Sequence, residues 1–315
     1  MRTAVCTLYE GNYHLGVGAL INSLVANQFK GDIFVGYRGE LPPWFKLYQY
    51  IHHDTWGEVV LMQLSDYTKV YFVKPTTTIH FTNFKPQFLI DLSKDLCARY
   101  DAIAYFDPDI VVCRSWDYFE DWMQHGVALV HESVTNDMPP THPLRKKWIK
   151  IAEEAGQPIR HQIHSYINGG FCALLINQLS FLKLWQKFID IGKEKFNAES
   201  KSFMTHARPY PFRSLDQDSL NIAAMVYEHE ISEAGPEAMG FIHGVVAMAH
   251  AVGNRKPWKK RYLMNALLGN SPSYADKAFW KYANGEIVLY PQKELIRKQY
   301  SILISSFVGR FYKRN

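Results

Sequence analysis

The strongest constraint on this chain is the way short apolar runs alternate with helical patterns through its first half. Residues 3–9 read as a strand, and after Gly11-Asn12-Tyr13 comes a helix with Leu15, Ala19, Leu20 and Leu24 on one face. Residues 32–35 and 58–64 read as two further strands and residues 102–106 as a fourth, with a helical stretch from Pro86 to about Tyr100 ahead of it. Strands interleaved with helices bury both faces of a mostly parallel sheet, so an α/β class is expected. Such sheets bind ligands beyond the carboxyl ends of their strands, which directs attention to the turns after Tyr9 and Phe106.

The second half is less regular. Residues 171–176 read as a strand and residues 179–196 as a long helix, and Asp216 begins another helix with Leu220, Ala223, Ala224 and Tyr227 facing a core. No internal repeat and no Gly/Ser-rich linker divides the chain. One body over residues 1–262 with a C-terminal extension over residues 263–315 fits best.

Charge is distributed unevenly. Residues 251–315 carry 13 Lys/Arg against 3 Asp/Glu, whereas residues 1–250 carry 22 against 27. The basic excess therefore belongs to the C-terminal part, which suits phosphate groups or an anionic surface there. The four cysteines, Cys6, Cys97, Cys113 and Cys172, form no CxxC pair and read as small buried hydrophobes of a reducing compartment. The opening residues read as a strand rather than a signal peptide, and no run reaches the roughly 18–20 apolar residues of a membrane span. A cytoplasmic protein is expected, at most resting on the inner membrane.

Two segments carry chemistry. Asp107-Pro108-Asp109 follows one apolar run and precedes another, Ile110-Val111-Val112. Two carboxylates one residue apart at a strand end repel each other unless a cation lies between them, and both can approach one divalent ion. Asp216-Gln217-Asp218 has the same spacing, so the pattern alone does not decide; a turn capped by Asp is its bland reading. The second segment is His250-Ala251-Val252-Gly253-Asn254-Arg255-Lys256-Pro257-Trp258. Its imidazole can complete a coordination sphere begun by two carboxylates, a set that suits Mn²⁺ somewhat better than Mg²⁺. Gly253 allows close backbone approach to a phosphate and Lys256 supplies a point charge to a diphosphate.

The order Asp107-Pro108-Asp109, Tyr166-Ile167-Asn168-Gly169-Gly170, Asp216-Gln217-Asp218, His250-x-x-Gly253-x-x-Lys256-Pro257-Trp258 resembles the GT-A glycosyltransferases related to glycogenin and the bacterial lipooligosaccharide galactosyltransferases (family 8). The opening Thr7-Leu8-Tyr9-Glu10-Gly11-Asn12-Tyr13, with Ile21-Asn22-Ser23-Leu24 behind it, is similar to that family's nucleotide-binding start. The resemblance covers roughly residues 1–260. It implies a GT-A fold, a mixed Rossmann-like sheet flanked by helices, and a metal-dependent transfer of a hexose from a nucleotide sugar, usually UDP-linked, with retention. It also implies that Asp107, Asp109 and His250 hold the cation, with Asp107 also near the ribose. Gly253 and Lys256 then meet the diphosphate, and Thr7, Tyr9 and Asn12 lie around the base and ribose. Asn168, Gly169 and Asp216 contact the donor sugar, Gln217 lies beneath its anomeric carbon, and Lys85 supplies a basic group near the donor. Two departures stand out: Gly169-Gly170 replaces a small residue followed by glycine, and Tyr9 stands where an acidic residue is common.

Breaking a sugar–diphosphate bond builds negative charge on the diphosphate, which a divalent ion and Lys256 stabilise. Gln217 is neutral and a poor nucleophile, so attack from the face the leaving group vacates is expected. An inverting GT-A transferase and an inactive sugar-nucleotide-binding protein are the alternatives. Gly16-Val17-Gly18 lacks the third glycine of a dinucleotide fingerprint, and no nucleic-acid-binding pattern occurs. The acceptor is expected to be a glycan or lipid-linked. The tail from Leu295 to Arg314 mixes bulky apolar residues with Arg and Lys at both ends, which suits either an anionic membrane surface or a helix packed on the body.

Overall fold

The computed structural model describes residues 1–46, 48–133, 137–202 and 211–311. Side chains alternate along the first strand, β1 (Thr3–Glu10): Ala4, Cys6 and Leu8 enter one core and Val5 and Tyr9 the other. This period of two places a helical layer on each face of the sheet.

The elements follow as α1 (His14–Ala26), β2 (Asp32–Arg38), β3 (Gln49–His53), β4 (Gly57–Gln63), β5 (Lys69–Val73), α2 (Phe81–Lys94), β6 (Ala102–Phe106), β7 (Ile110–Val112), α3 (Trp116–Gln124) and β8 (Val127–Val130). Then come α4 (Pro143–Glu154), β9 (Phe171–Leu175), α5 (Ser180–Phe196), α6 (Leu215–Val226), β10 (Ile231–Ala234), β11 (Met248–His250), α7 (Tyr262–Leu267), α8 (Tyr274–Tyr282) and α9 (Gln292–Val308). The sheet runs β10-β8-β9-β6-β1-β2-β5-β4-β3. Its centre, β6-β1-β2-β5, is parallel, and β4 and β9 run against it. The sheet is therefore mixed.

Three expectations need correction. Helix α2 begins at Phe81 and ends at Lys94, with Pro86 inside it. The His80 ring caps its start by accepting from the Thr82 N–H, and Pro86 lies near enough to that end to be accommodated. Strands β3 and β5 were not anticipated; β3 is an exposed hairpin edge, and β5 adds only five residues. Burial on α1 is also not confined to one stripe, since Gly16 through Leu24 are all buried.

The reason is that α1 is covered twice. Leu20 and Leu24 face the sheet, while Ala19 joins a third cluster with Val111, Ala249, Tyr262, Phe279, Trp280 and Ile302. The Asn22 amide donates to the carbonyls of Tyr282 and Ile287, and its oxygen accepts from the Ile287 N–H at 2.8 Å. A helix buried all round must be apolar all round, which explains its composition. Helices α7 to α9 thus share a core with α1, β7 and β11. Residues 312–314 of the expected basic tail lie outside the described residues.

Candidate active site

Two short strands assemble the site. β7 continues directly from Asp107-Pro108-Asp109, and β11 pairs with it antiparallel, setting His250 opposite Ile110. The Ala251 N–H then bonds the Asp109 carbonyl at 3.0 Å. This ladder brings an imidazole from late in the chain onto the acidic turn. One ligand atom each from Asp107, Asp109 and His250 lies within 4.8 Å of the others.

The individual distances are short. The His250 Nε2 lies 3.4 Å from Asp109 Oδ1 and 3.9 Å from Asp107 Oδ2. The Lys256 ammonium meets Asp109 Oδ2 at 2.5 Å and the Ala251 carbonyl at 2.9 Å. Burial disfavours the Asp109 anion, but His250 and Lys256 outweigh it and hold this carboxyl well below the usual carboxylate range. Lys256 is raised in turn: burial opposes its charge, and Asp109 more than offsets that.

A second cation sits deeper. Lys85, from the second turn of α2, is 2% exposed and donates to Asp107 Oδ1 at 3.0 Å, Asp216 Oδ2 at 3.0 Å and the Gly169 carbonyl at 2.7 Å. Burial works against its charge, yet Asp107 and Asp216 keep its pKa above the ordinary lysine value. One ammonium shared between two carboxylates does not fully compensate either. Asp216, fully buried and with Oδ1 unbonded among the described residues, is pushed up to about 7 by burial against the pull of Lys85.

The Asn168-Gly169-Gly170 segment closes the space between these groups. The Asp107 N–H bonds the Gly170 carbonyl at 2.7 Å, and the Gly169 N–H donates to Gln217 Oε1 at 3.1 Å. A Cβ on Gly169 would lie 2.7 Å from Asp216 Oδ2, so this close approach requires glycine there. Gly16 is required for a similar reason: a Cβ would lie 1.9 Å from the Pro108 carbonyl oxygen, where α1 abuts the acidic turn.

Of the residues singled out from sequence, Asp107, Asp109, His250, Lys256, Lys85, Asp216, Gln217 and Gly169 form this connected group. Asn168 joins it through its side-chain oxygen, which accepts from the Gly170 N–H at 2.8 Å. Asn12 is exposed and accepts from the Trp258 indole N–H at 3.4 Å, and neighbouring Tyr13 packs edge-on to Trp258 beneath Lys256. Gly253 has φ +93° on the loop before Lys256. Thr7 is fully buried on β1, and Tyr9 stacks on Tyr37 and donates to the Glu40 carbonyl.

The sequence reading did not single out Glu132, which accepts from the Asn168 amide at 2.6 Å. Its signal is its place just past the apolar run 127–130, at a carboxyl end of the sheet. Asn83 was also missed; its oxygen accepts from the Asp216 N–H at 3.2 Å.

The donor set fits a hard or borderline divalent cation. Two carboxylates and one imidazole converge, and Asp109 is buried and held ionised. One feature departs from the usual pattern: His250 Nδ1 is buried without a hydrogen-bond partner among the described residues, whereas ligating imidazoles normally donate from the other nitrogen.

No family model and no curated protein sequence matches the chain. Solved structures do. The bifunctional glycosyltransferase WbbM superposes with a TM-score of 0.51 at 14% identity, covering 95% of this chain and 52% of that one. The glycosyltransferase GlyE of Streptococcus pneumoniae TIGR4 gives 0.50 at 14% identity, covering 96% and 64%. The galactosyltransferase LgtC, solved with donor and acceptor sugar analogues, gives 0.49 at 15% identity, covering 94% and 99%. The chain has the fold shared by the first two, the GT-A glycosyltransferase fold, and spans about half to two thirds of their length.

Proposed function

We propose that the chain is a metal-dependent, retaining glycosyltransferase that moves a hexose from a nucleotide sugar, most simply UDP-linked, to a glycan or lipid-linked acceptor. The observation that carries this reading is the convergence of Asp107, Asp109 and His250 beside Lys256, on a GT-A fold. Residues 1–262 form the nucleotide-sugar-binding and catalytic part in this reading, with residues 263–315 as an extension. The setting is cytoplasmic, peripheral to the inner membrane.

Asp107, Asp109 and His250 would hold Mn²⁺ or Mg²⁺, which supplies electrostatic stabilisation of the departing diphosphate. Lys256 adds a point charge at the same place: it leaves Asp109 Oδ2 for a diphosphate oxygen, which offers the ammonium more negative charge. Gly253 lets the loop backbone approach that group, and Thr7, Tyr9 and Asn12 are assigned to the base and ribose. Lys85 orients Asp216 and screens it from Asp107. Gln217 is held by the Gly169 N–H, which fixes the orientation of its amide under the sugar.

This arrangement bears on stereochemistry. Gln217 carries no charge, and the charge of Asp216 is offset by Lys85 at 3.0 Å, so neither is a strong nucleophile. Attack from the face vacated by the diphosphate, with a phosphate oxygen taking the acceptor's proton, accounts for retention without a covalent intermediate. Mass spectrometry of the enzyme trapped with a slow donor tests this, since a glycosyl adduct on Asp216 or Asp218 is incompatible with it. A second reading, inversion, is favoured by Glu132, a carboxylate beside Asn168 able to serve as a base. The anomeric configuration of the product separates the two.

The function itself is tested by calorimetry of nucleotide sugars with and without Mn²⁺. Selective, metal-dependent binding that Asp109→Asn abolishes is expected. The proposal falls if no nucleotide sugar binds, or if binding ignores both metal and the substitution.

A further inference from the structure

Helix α9 is apolar on two opposite sides. Leu295, Ile302, Ser305 and Gly309 are buried against the body, at helical spacings of seven, three and four. Tyr300, Leu303, Phe307 and Phe311 follow the same period on the far side, where they are 59–74% exposed, and Ile296 and Ile304 widen that stripe. A solvated surface helix normally carries polar residues there. Helix α7 packs against α9 and adds Leu263 and Met264, with Leu268 just past its end, each 45–75% exposed. The two helices therefore display an apolar face where an isolated exposed leucine would need no explanation.

Charge around this face is predominantly positive. Lys259 and Arg261 are exposed just ahead of α7, Lys293 and Arg297 lie at the start of α9, and Arg310 at its end. The acids of residues 251–315 are few: Asp276 is buried and paired with Lys260, which leaves Glu286 and Glu294. None of the helices among the described residues is long and apolar enough to cross a membrane.

We propose that the exposed face of α7 and α9 is a docking surface for an anionic lipid bilayer. The aromatic and aliphatic stripe enters the boundary between headgroups and acyl chains, and the flanking cations meet lipid phosphates, the arrangement that holds interfacial helices in the plane of a membrane. A second copy of the chain is a poorer match, because two such faces would bring five exposed cations against five of the same sign. The surface does not depend on the catalytic reading, and its test uses neither donor nor metal, so either can fail alone. It also lies close to the chemistry: α7 starts six residues after Lys256, so a docked enzyme holds its diphosphate-binding loop near the headgroups, within reach of a lipid-linked acceptor.

The test is flotation of the full chain with vesicles of phosphatidylglycerol and phosphatidylcholine or of phosphatidylcholine alone, beside sedimentation without lipid. The intact chain is expected to float with the anionic vesicles and stay behind with the neutral ones. Leu303→Ser/Phe307→Ser and, separately, Lys293→Glu/Arg297→Glu should each lower anionic-vesicle binding about tenfold or more, with unfolding transitions unchanged because all four residues are exposed. Equal flotation of both variants and the parent overturns the proposal. So does a dimer without lipid that Leu303→Ser/Phe307→Ser dissociates while no form floats, which would assign the face to self-association.

Discussion

The chain carries two Asp-x-Asp triplets, and the structure uses them for different ends. In Asp107-Pro108-Asp109 the backbone is a turn between two strands, so residues two apart direct both carboxylates toward one point, where His250 joins them. In Asp216-Gln217-Asp218 the backbone is the first turn of α6, where residues two apart diverge. Asp216 turns to Lys85, while Asp218 accepts from the Tyr166 hydroxyl at 2.7 Å and the Ser214 N–H at 2.8 Å. The electrostatics diverge too. Asp109 is held well below the carboxylate range by His250 and Lys256, whereas burial pushes Asp216 and Asp218 up to about 7. The same three letters direct two carboxylates toward one imidazole in one case and toward separate partners, Lys85 and Tyr166, in the other.

This contrast can be broken by substitution. Asp109→Asn removes charge from the first triplet and should cost the most, roughly 10³-fold in transfer rate together with loss of Mn²⁺ binding, read by initial rates and calorimetry. Lys85→Met strikes the link between the triplets. It strands Asp107 and Asp216 without their shared cation, and urea unfolding should show a loss of about 3 kcal/mol, partly recovered by adding Asp216→Asn. A normal midpoint in Lys85→Met would mean the two acids do not rely on that ammonium.

The pH dependence sharpens the comparison. Because the folded-state pKa of Asp218 lies above the value of an unfolded aspartate, the folded chain binds more protons between about pH 4 and 7. Stability should thus be greatest near the acid end of that window and decline as pH rises through 7, by on the order of 4 kcal/mol for this group. Asp218→Asn should flatten the decline in metal-free urea titrations; an unchanged slope would exclude Asp218 as its source. The smallest effect is expected from Gly169→Ala, whose methyl group crowds Asp216 Oδ2. About 1–2 kcal/mol of stability should be lost in thermal unfolding.

The parts of this architecture that were legible in the sequence are those coded locally. β6 runs from Ala102 to Phe106 as its apolar run implies, and the acidic turn follows because strand, Asp-Pro-Asp and second strand are contiguous. His250-x-x-Gly253-x-x-Lys256 suggested a cation-and-phosphate loop, and its place beside Asp107 and Asp109 came from the family resemblance rather than from local pattern, since the β7–β11 ladder is a long-range pairing of two three-residue strands. Lys85 reads on paper as one basic residue in a helix, and only the fold sets it between Asp107 and Asp216. β8 and Glu132 escaped notice because a four-residue strand carries little pattern, and β3 because its Gln-Tyr-Ile-His-His sequence alternates weakly. Pro86 misplaced the start of α2 because a proline is a better marker of a helix's first turn than of its second.

The β7–β11 ladder has a consequence for how the molecule matures. As the polypeptide is synthesised, the aspartates of the acidic turn emerge early, within the part that builds the central strands, whereas the imidazole and Lys256 emerge only after β10. A nascent or truncated chain ending before Met248 lacks His250, Lys256 and the loop between them. The last fifth of the polypeptide therefore completes the cluster: Asp107 and Asp109 gain His250 and Lys256 only after β11 has been synthesised and has paired with β7.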